Sequence, residues 1–211
     1  MQEILPVLGI SGAIAIGAMS PGPSFLMVAR TAVAASRPAG LAAALGMGVG
    51  GALFAVAALA GLQAVFAAVP GLYLALKVVG GLYLVYLGQR IWRGAGQPLA
   101  LRPETAESAQ QGAGRAFLLA LGTQVSNPKA AIVYGSVFAA FLPRDFPLFL
   151  AVITVAVIFM IEAGWYALVA LVLSAAGPRA AYLRYKVWID RSAGGVMAVL
   201  GIKLVASARQ V

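Results

Sequence analysis

The residues of this chain best suited to chemistry sit where a helix should not tolerate them. Ser20-Pro21-Gly22-Pro23 interrupts one apolar run, and Gln124, Ser126, Asn127, Pro128 and Lys129 form a polar cluster near the middle of another. Pro21 and Pro23 lack an amide hydrogen, so two carbonyls one turn earlier lose their partners, and Gly22 adds backbone freedom between them. In lipid each unsatisfied group costs several kcal/mol, so such a break survives only where protein or water lines the gap. Pro23 suits the first position of a new half-helix. Its free amides and the positive end of its dipole would face a cavity and favour a carboxylate, with Ser20 supplying a hydroxyl. Asn127 is pushed toward an extended backbone by the proline after it and is a strong helix cap, so a second half-helix is predicted to begin at Pro128. A lone proline kink is common in membrane helices. Two breaks at matching places, one with a central lysine, point instead to an anion-binding site.

Lys129 and Glu162 are the ionisable residues nearest the centres of their apolar runs. A charge at mid-bilayer costs about 2.5–3.5 kcal/mol, so both should face the interior. Two roles are open to Glu162: a proton-coupling carboxylate whose protonation alternates with substrate binding, or a structural ion-pair partner for Lys129 or another lysine. Lys77 either snorkels to the surface or lines the cavity. Tyr134 and Tyr166 are singled out as candidate cavity-lining aromatics by their distance from the ends of their runs. Gly46-Met47-Gly48-Val49-Gly50-Gly51 leaves one helix face nearly bare, the small-residue pattern that lets two backbones approach through Gly46 and Gly50. The partner of that face is either the broken helix or a second protomer of a homodimer.

The elements that must position these residues follow from composition. Of 211 residues, 62% are hydrophobic and 10% charged, and mean hydropathy is +0.95. A soluble domain of this size could not hide so much apolar surface, whereas runs of about 20 apolar residues cross a hydrocarbon core of about 30 Å. Membrane lipid is therefore a partner of the whole chain. Six spans are predicted, at about Ile4 to Ala29, Leu41 to Val69, Leu72 to Ile91, Ala116 to Leu142, Phe146 to Ala176 and Val187 to Ala206. The last is the weakest, because Asp190 and Arg191 intrude on it. Glu3 and the length of the first run argue for a retained helix over a cleaved leader. Pro70-Gly71 makes a tight turn, and Trp92 to Arg115 is a long polar, mobile connector.

The net charge of +9 would suggest nucleic acid in a soluble protein, but here Lys and Arg lie in short loops between spans, so no nucleic-acid partner is expected. Arg30, Arg37, Arg90, Arg93, Arg102, Arg115, Arg179, Arg184, Lys186 and Arg191 fall on one side, against Arg144, Lys203 and Arg209 on the other. The positive-inside rule puts the richer side in the cytoplasm and both termini outside a bacterial inner membrane. With no cysteine and no histidine, thiol redox chemistry, Cys/His metal sites and His-dependent catalysis are excluded. No cofactor is implied, and hydrolysis is disfavoured because Ser20 has prolines where a base would be needed.

Shifting the chain by 105 residues lays Gly122 on Gly17, Pro128 on Pro23 and Pro143 on Pro38, and the fifth span over the second. Two halves of three spans each must insert with opposite orientation. The predicted fold is thus an all-α membrane protein: one transmembrane domain over 1–211 with six transmembrane helices in two inverted three-helix repeats. The first repeat covers about 1–95 and the second about 116–211, with the polar loop at about 92–115 between them and helices 1 and 4 broken. Transporters built this way bind substrate near the midplane, where broken helices meet.

Four motifs, in order and at fitting intervals, carry a resemblance along essentially the whole chain: Ser20-Pro21-Gly22-Pro23 with Arg30, Lys77-Val78-Val79-Gly80-Gly81-Leu82-Tyr83-Leu84 with Gly88, Asn127-Pro128-Lys129-Ala130, and Gly201-Ile202-Lys203-Leu204. The chain resembles the lysine exporter family, also called the threonine/homoserine resistance family. The resemblance implies a secondary transporter, not an enzyme, that exports amino acids or their derivatives, by proton antiport, through a six-helix and often dimeric protein. It also places both breaks on the transport pathway. No residue decides among basic, hydroxylated, branched and sulfur-containing substrates, and Glu162 belongs to none of these motifs. Export of a metal or other inorganic ion is the alternative, disfavoured by the missing His and Cys and the scarcity of buried carboxylates. For a non-transporting membrane scaffold the glycine face alone would suffice.

Overall fold

The computed structural model describes residues 4–20, 22–68, 72–97, 112–143 and 145–207. Among these the chain is all-helical, with α1 (Ile4–Met19), α2 (Pro23–Ala34), α3 (Arg37–Ala68), α4 (Leu72–Gly94), α5 (Ala113–Val125), α6 (Pro128–Phe141), α7 (Leu148–Leu173) and α8 (Ala176–Ser207). The predicted turn at Pro70-Gly71 and the core of the predicted polar connector, residues 98–111, lie outside the described residues.

The segments Arg37–Leu62 and Leu148–Leu173, 26 residues each, are long and apolar enough to cross a membrane, as is the pair α1 and α2 taken as one span bent by 56°. At 1.5 Å per residue, 26 residues reach about 39 Å. Helix α7 shows why an apolar helix needs two kinds of neighbour. Its residues at spacings of four, Leu150, Thr154, Ile158, Glu162, Tyr166 and Ala170, are buried, while Leu148, Phe149, Val152, Met160 and Leu168 remain exposed. Exposed leucines in water would be a liability; against lipid tails they are at home.

The breaks fall where proline chemistry places them. Helix α1 stops at Met19, before Pro21, and α2 restarts with Pro23 at its first turn, Gly22 bridging them in an extended conformation with φ −160°. Helix α5 ends at Val125 and α6 begins with Pro128. Asn127 is extended, and its side chain accepts the Lys129 amide at 3.0 Å. The predicted first and fourth spans are thus each two half-helices.

Where the sixth span is predicted, α8 runs unbroken from Ala176 to Ser207, through Asp190 and Arg191. Asp190 is buried with its carboxylate on Lys186 one turn earlier, at 2.6 Å, and Arg191 lies over the Trp92 ring, so neither charge meets lipid unaided.

Packing is set by small residues. The predicted glycine face of α3 meets α5 of the same chain: Gly46 sits against the Phe117 and Leu121 backbone, and Gly50 against the Gln124 side chain. Gly48 and Gly51 turn to α7, against Ala163 and Glu162. Helices α4 and α8 approach through Gly81 and Gly88 on one and Gly194 and Gly201 on the other, seven residues apart on each, where a methyl group would strike partner backbone. One apolar cluster, including Ile10, Ile14, Leu59, Val137 and Phe138, fills the half of the bundle where α1 begins. A second, with Phe25, Val28, Met47 and Leu173, fills the space between α2, α3, α5 and α7 toward the other end.

Candidate functional site

Both breaks open onto a common polar centre. Gln124, Asn127 and Glu162 are each no more than 5% exposed, so their polar atoms must find partners inside the protein. They do so in one chain. Asn127 Nδ2 donates to Ser24 Oγ at 2.9 Å, Ser24 Oγ donates to Gln124 Oε1, and Gln124 Nε2 donates to Glu162 Oε2 at 3.2 Å. Tyr134 Oη donates to Glu162 Oε1 at 3.0 Å, which occupies the second carboxylate oxygen. The chain therefore joins α2, α5, α6 and α7, with each break contributing at least one member.

Lys129 answers the bookkeeping that the prolines create. With no amide on Pro21, the Gly17 carbonyl has lost its donor four residues on and keeps only a 3.3 Å bond from the Ser20 amide. Lys129 Nζ donates to that carbonyl at 3.3 Å and to the Ser20 carbonyl at 2.8 Å. A cation at the carbonyl end of α1 also meets the negative end of its dipole. Gly22 makes room for this: a Cβ there would lie 3.3 Å from both Cδ and Nζ of Lys129. Of the alternatives for Glu162, a direct ion pair with Lys129 is not seen among the described residues. The lysine is spent on the carbonyls of one break, and the carboxylate on Tyr134 and Gln124.

Two cavities meet at this centre. The inner one, about 30 Å³, is lined by Ser20, Ser24, Gln124, Tyr134, Glu162 and Tyr166 among others, and holds room for a water or two but no amino acid. Ser20 Oγ is buried on this wall without a hydrogen-bond partner among the described residues. The outer one, a vestibule of about 450 Å³, is lined by Pro23, Tyr83, Arg90, Pro128, Lys186 and Asp190. Gly22, Asn127 and Lys129 line both and so form the wall between them. Lys186 is held by Asp190, so among the described residues the remaining charges of the vestibule lining are Arg90 and Lys129, a field that favours a carboxylate.

Most of the sequence-predicted site residues gather here, but not all. Ser126 is exposed, with its hydroxyl turned back onto the Gly122 carbonyl at 2.6 Å, and lines neither cavity. Pro21 and the side chain of Lys77 lie outside the described residues. Sequence reasoning missed Ser24, the hydroxyl that links the two breaks, although the 105-residue shift lays it on Lys129. It also missed the vestibule residues Tyr83, Arg90, Lys186 and Asp190. For the last two the signal was a lysine and an aspartate four residues apart at an apolar boundary. Among the described residues no three His, Cys, Asp or Glu side chains gather in a way that could hold a metal ion.

The chain has known relatives. A family model described as LysE type translocator matches residues 15–208. The threonine efflux protein of Escherichia coli K12 is 34% identical over 192 residues, 91% of this chain and 93% of the relative. That of Salmonella typhi is 37% identical over 194 residues, with the same shares covered. An uncharacterized membrane protein of Haemophilus influenzae is 28% identical over 190 residues, 90% of each chain. No solved structure matches.

Proposed function

The chain belongs to the family of LysE-type translocators, and from that premise we propose that it is a secondary transporter exporting small amino acids, threonine or a close analogue first among them, from the cytoplasm in exchange for protons. The observation that carries this is the pair of cavities separated by Gly22, Asn127 and Lys129. A route through a membrane protein needs a roomy approach, a narrow centre and a divider that can change partners, and these three residues sit at both helix breaks.

The vestibule is bounded by the end of α4, with Arg90 and Gly94, and by Gln97 just beyond it. In this reading the positive-inside rule makes that end cytoplasmic and leaves the termini outside. The opposite half is packed with Ile10, Ile14, Val137 and Phe138, so this arrangement corresponds to a state open for loading and closed toward release. A repeat of two halves is supported by part of the helix pairing. Exchanging α1 with α5, α2 with α6 and α3 with α7 turns the α3/α5 contact into α7/α1, α2/α7 into α6/α3 and α1/α6 into α5/α2, all of which occur, whereas the α2/α3, α4/α6 and α1/α8 contacts have no counterpart of similar extent.

In the transport cycle the substrate carboxylate enters toward Lys129 and the amino end of α2, which no side chain caps. Lys129 then exchanges the Ser20 carbonyl for the substrate. Glu162 supplies the coupling: both its oxygens accept hydrogen bonds, and a proton would turn one of them into a donor. The chain through Gln124, Ser24 and Asn127 must then rearrange, and it ties together the two breaks. Everted membrane vesicles containing the protein are expected to accumulate labelled threonine when their lumen is acidified, and to lose it on adding a protonophore. No uptake across a full amino-acid panel would remove the proposal.

A further inference from the structure

One acidic oxygen in the vestibule has no use in the scheme above. Asp190 is 2% exposed. Its Oδ2 takes the Lys186 ammonium at 2.6 Å, while Oδ1 is buried without any hydrogen-bond partner among the described residues. A buried carboxylate normally fills both oxygens with donors, because each unfilled one forfeits the hydration it had in water. Lys186 does not satisfy both: its ammonium reaches Oδ2 and the Ala95 carbonyl, the latter at 3.1 Å, and so ties the end of α4 to α8. The residue lines the vestibule, on the helix facing the break that carries Asn127 and Lys129.

We infer that Asp190 Oδ1 receives the α-ammonium of the substrate at a loading subsite in the vestibule, and that it thereby selects free amino acids over other carboxylic acids. The inference rests on the export reading for the direction of movement, but not for binding itself. A small amino acid presents a cation and an anion on neighbouring atoms. The vestibule's lining holds the complement: Asp190 on α8, one of whose buried oxygens has no donor, and cations at Lys129 and Arg90 on other walls. The inner cavity of about 30 Å³ cannot admit such a molecule in this arrangement, whereas the vestibule of about 450 Å³ can. Glu162 is not the ammonium site here, because both its oxygens already have donors. A carboxylic acid bearing a hydroxyl in place of the ammonium would find the basic residues but leave Oδ1 facing a neutral donor. An N-acylated amino acid would do no better. A charge-assisted hydrogen bond is stronger than its neutral counterpart, so the free amino acid is preferred.

The test pairs two substitutions with opposite expected signs. Binding of labelled threonine to purified protein is measured by equilibrium dialysis, in competition with the matching 2-hydroxy acid, beside flux into everted vesicles. Asp190→Asn is expected to weaken threonine binding about tenfold or more and to abolish the preference over the hydroxy acid. Lys186→Gln frees the second oxygen of Asp190 and is expected to leave threonine binding equal or tighter. A purely structural ion pair predicts that both substitutions weaken binding together. That outcome, or an unchanged preference in Asp190→Asn, overturns the inference. If Asp190→Asn does not fold, Asp190→Glu takes its place: preference retained supports the carboxylate's role, and preference lost with binding otherwise intact overturns it. Wild-type protein that binds with this pattern but carries no flux would refute export while leaving the Asp190 site standing.

Discussion

Replacing Gly50 with alanine tests whether the glycine face of α3 supports the polar centre. A methyl carbon at position 50 would lie 2.6 Å from Gln124 Cγ and 2.7 Å from its Cβ. Carbon atoms pack at about 3.5–4.0 Å, so the shortfall is about 1 Å. Either α3 and α5 separate or Gln124 moves. Gln124 donates to Glu162 at 3.2 Å, already at the long end for a hydrogen bond, and it also accepts from Ser24. A displacement of about 1 Å breaks at least one of these. Overpacking costs about 1–3 kcal/mol, and a buried carboxylate deprived of a donor about 1–3 kcal/mol more. Together they should lower the melting temperature by roughly 4–24 °C. Flux should fall about tenfold or more, for which a 1.4 kcal/mol error in the centre suffices. The assay is thermal unfolding of the purified protein in detergent, beside vesicle flux. Gly61→Ala is the control, since a methyl group there meets nothing within 4 Å. In a helix that change should be neutral or stabilising by up to about 1 kcal/mol. A Gly50→Ala protein as stable and as active as Gly61→Ala would show that the α3/α5 approach does not hold Gln124 in place.

Lys129→Met should leave the Ser20 carbonyl without its donor, costing about 1–3 kcal/mol of stability, and should abolish measurable flux, whereas Lys129→Arg should retain part of both; unfolding and vesicle uptake read the two effects separately. Glu162→Gln should preserve threonine exchange between the two sides but end gradient-driven accumulation. With one proton per substrate, a one-unit pH difference supports at most about tenfold accumulation in the wild type, and the variant should show none. Asn127→Ala removes the cap on α6 and should lower stability by about 0.5–2 kcal/mol, visible in the same unfolding assay. A reporter enzyme active only outside the cytoplasm, fused after the last residue, should be active if the termini face outward; activity confined to a cytoplasmic reporter would reverse the assigned orientation.

The helices and their breaks were legible in the sequence because they rest on local chemistry. Apolar runs of membrane length, and prolines that lack an amide, act over a few residues whatever surrounds them. That is why α2 begins at Pro23 and α6 at Pro128, as their residues predicted. How the sixth span accommodates its charges was not legible, for the opposite reason. Asp190 reads as a charge in an apolar run, and only its burial beside Lys186 explains why α8 continues through it.

Among the site residues, Lys129, Asn127, Gln124 and Glu162 announced themselves as polar groups in apolar segments, since each such residue is costly unless it faces inward. Their partners did not. Whether Lys129 meets Glu162 or the carbonyls of Gly17 and Ser20 depends on which way α6 is turned against α1, and sequence spacing does not encode that angle. Ser24 and Ser126 are the same residue type beside the same kind of break, yet one joins the two halves while the other bonds its own helix. The sequence by itself determined that this chain lives in lipid, where its helices break, and which family it resembles, because hydropathy and proline stereochemistry are properties of neighbouring residues. The tertiary structure alone decided who pairs with whom, where the two cavities lie, and that Asp190 keeps an oxygen in reserve, because these depend on helices brought together from opposite ends of the chain.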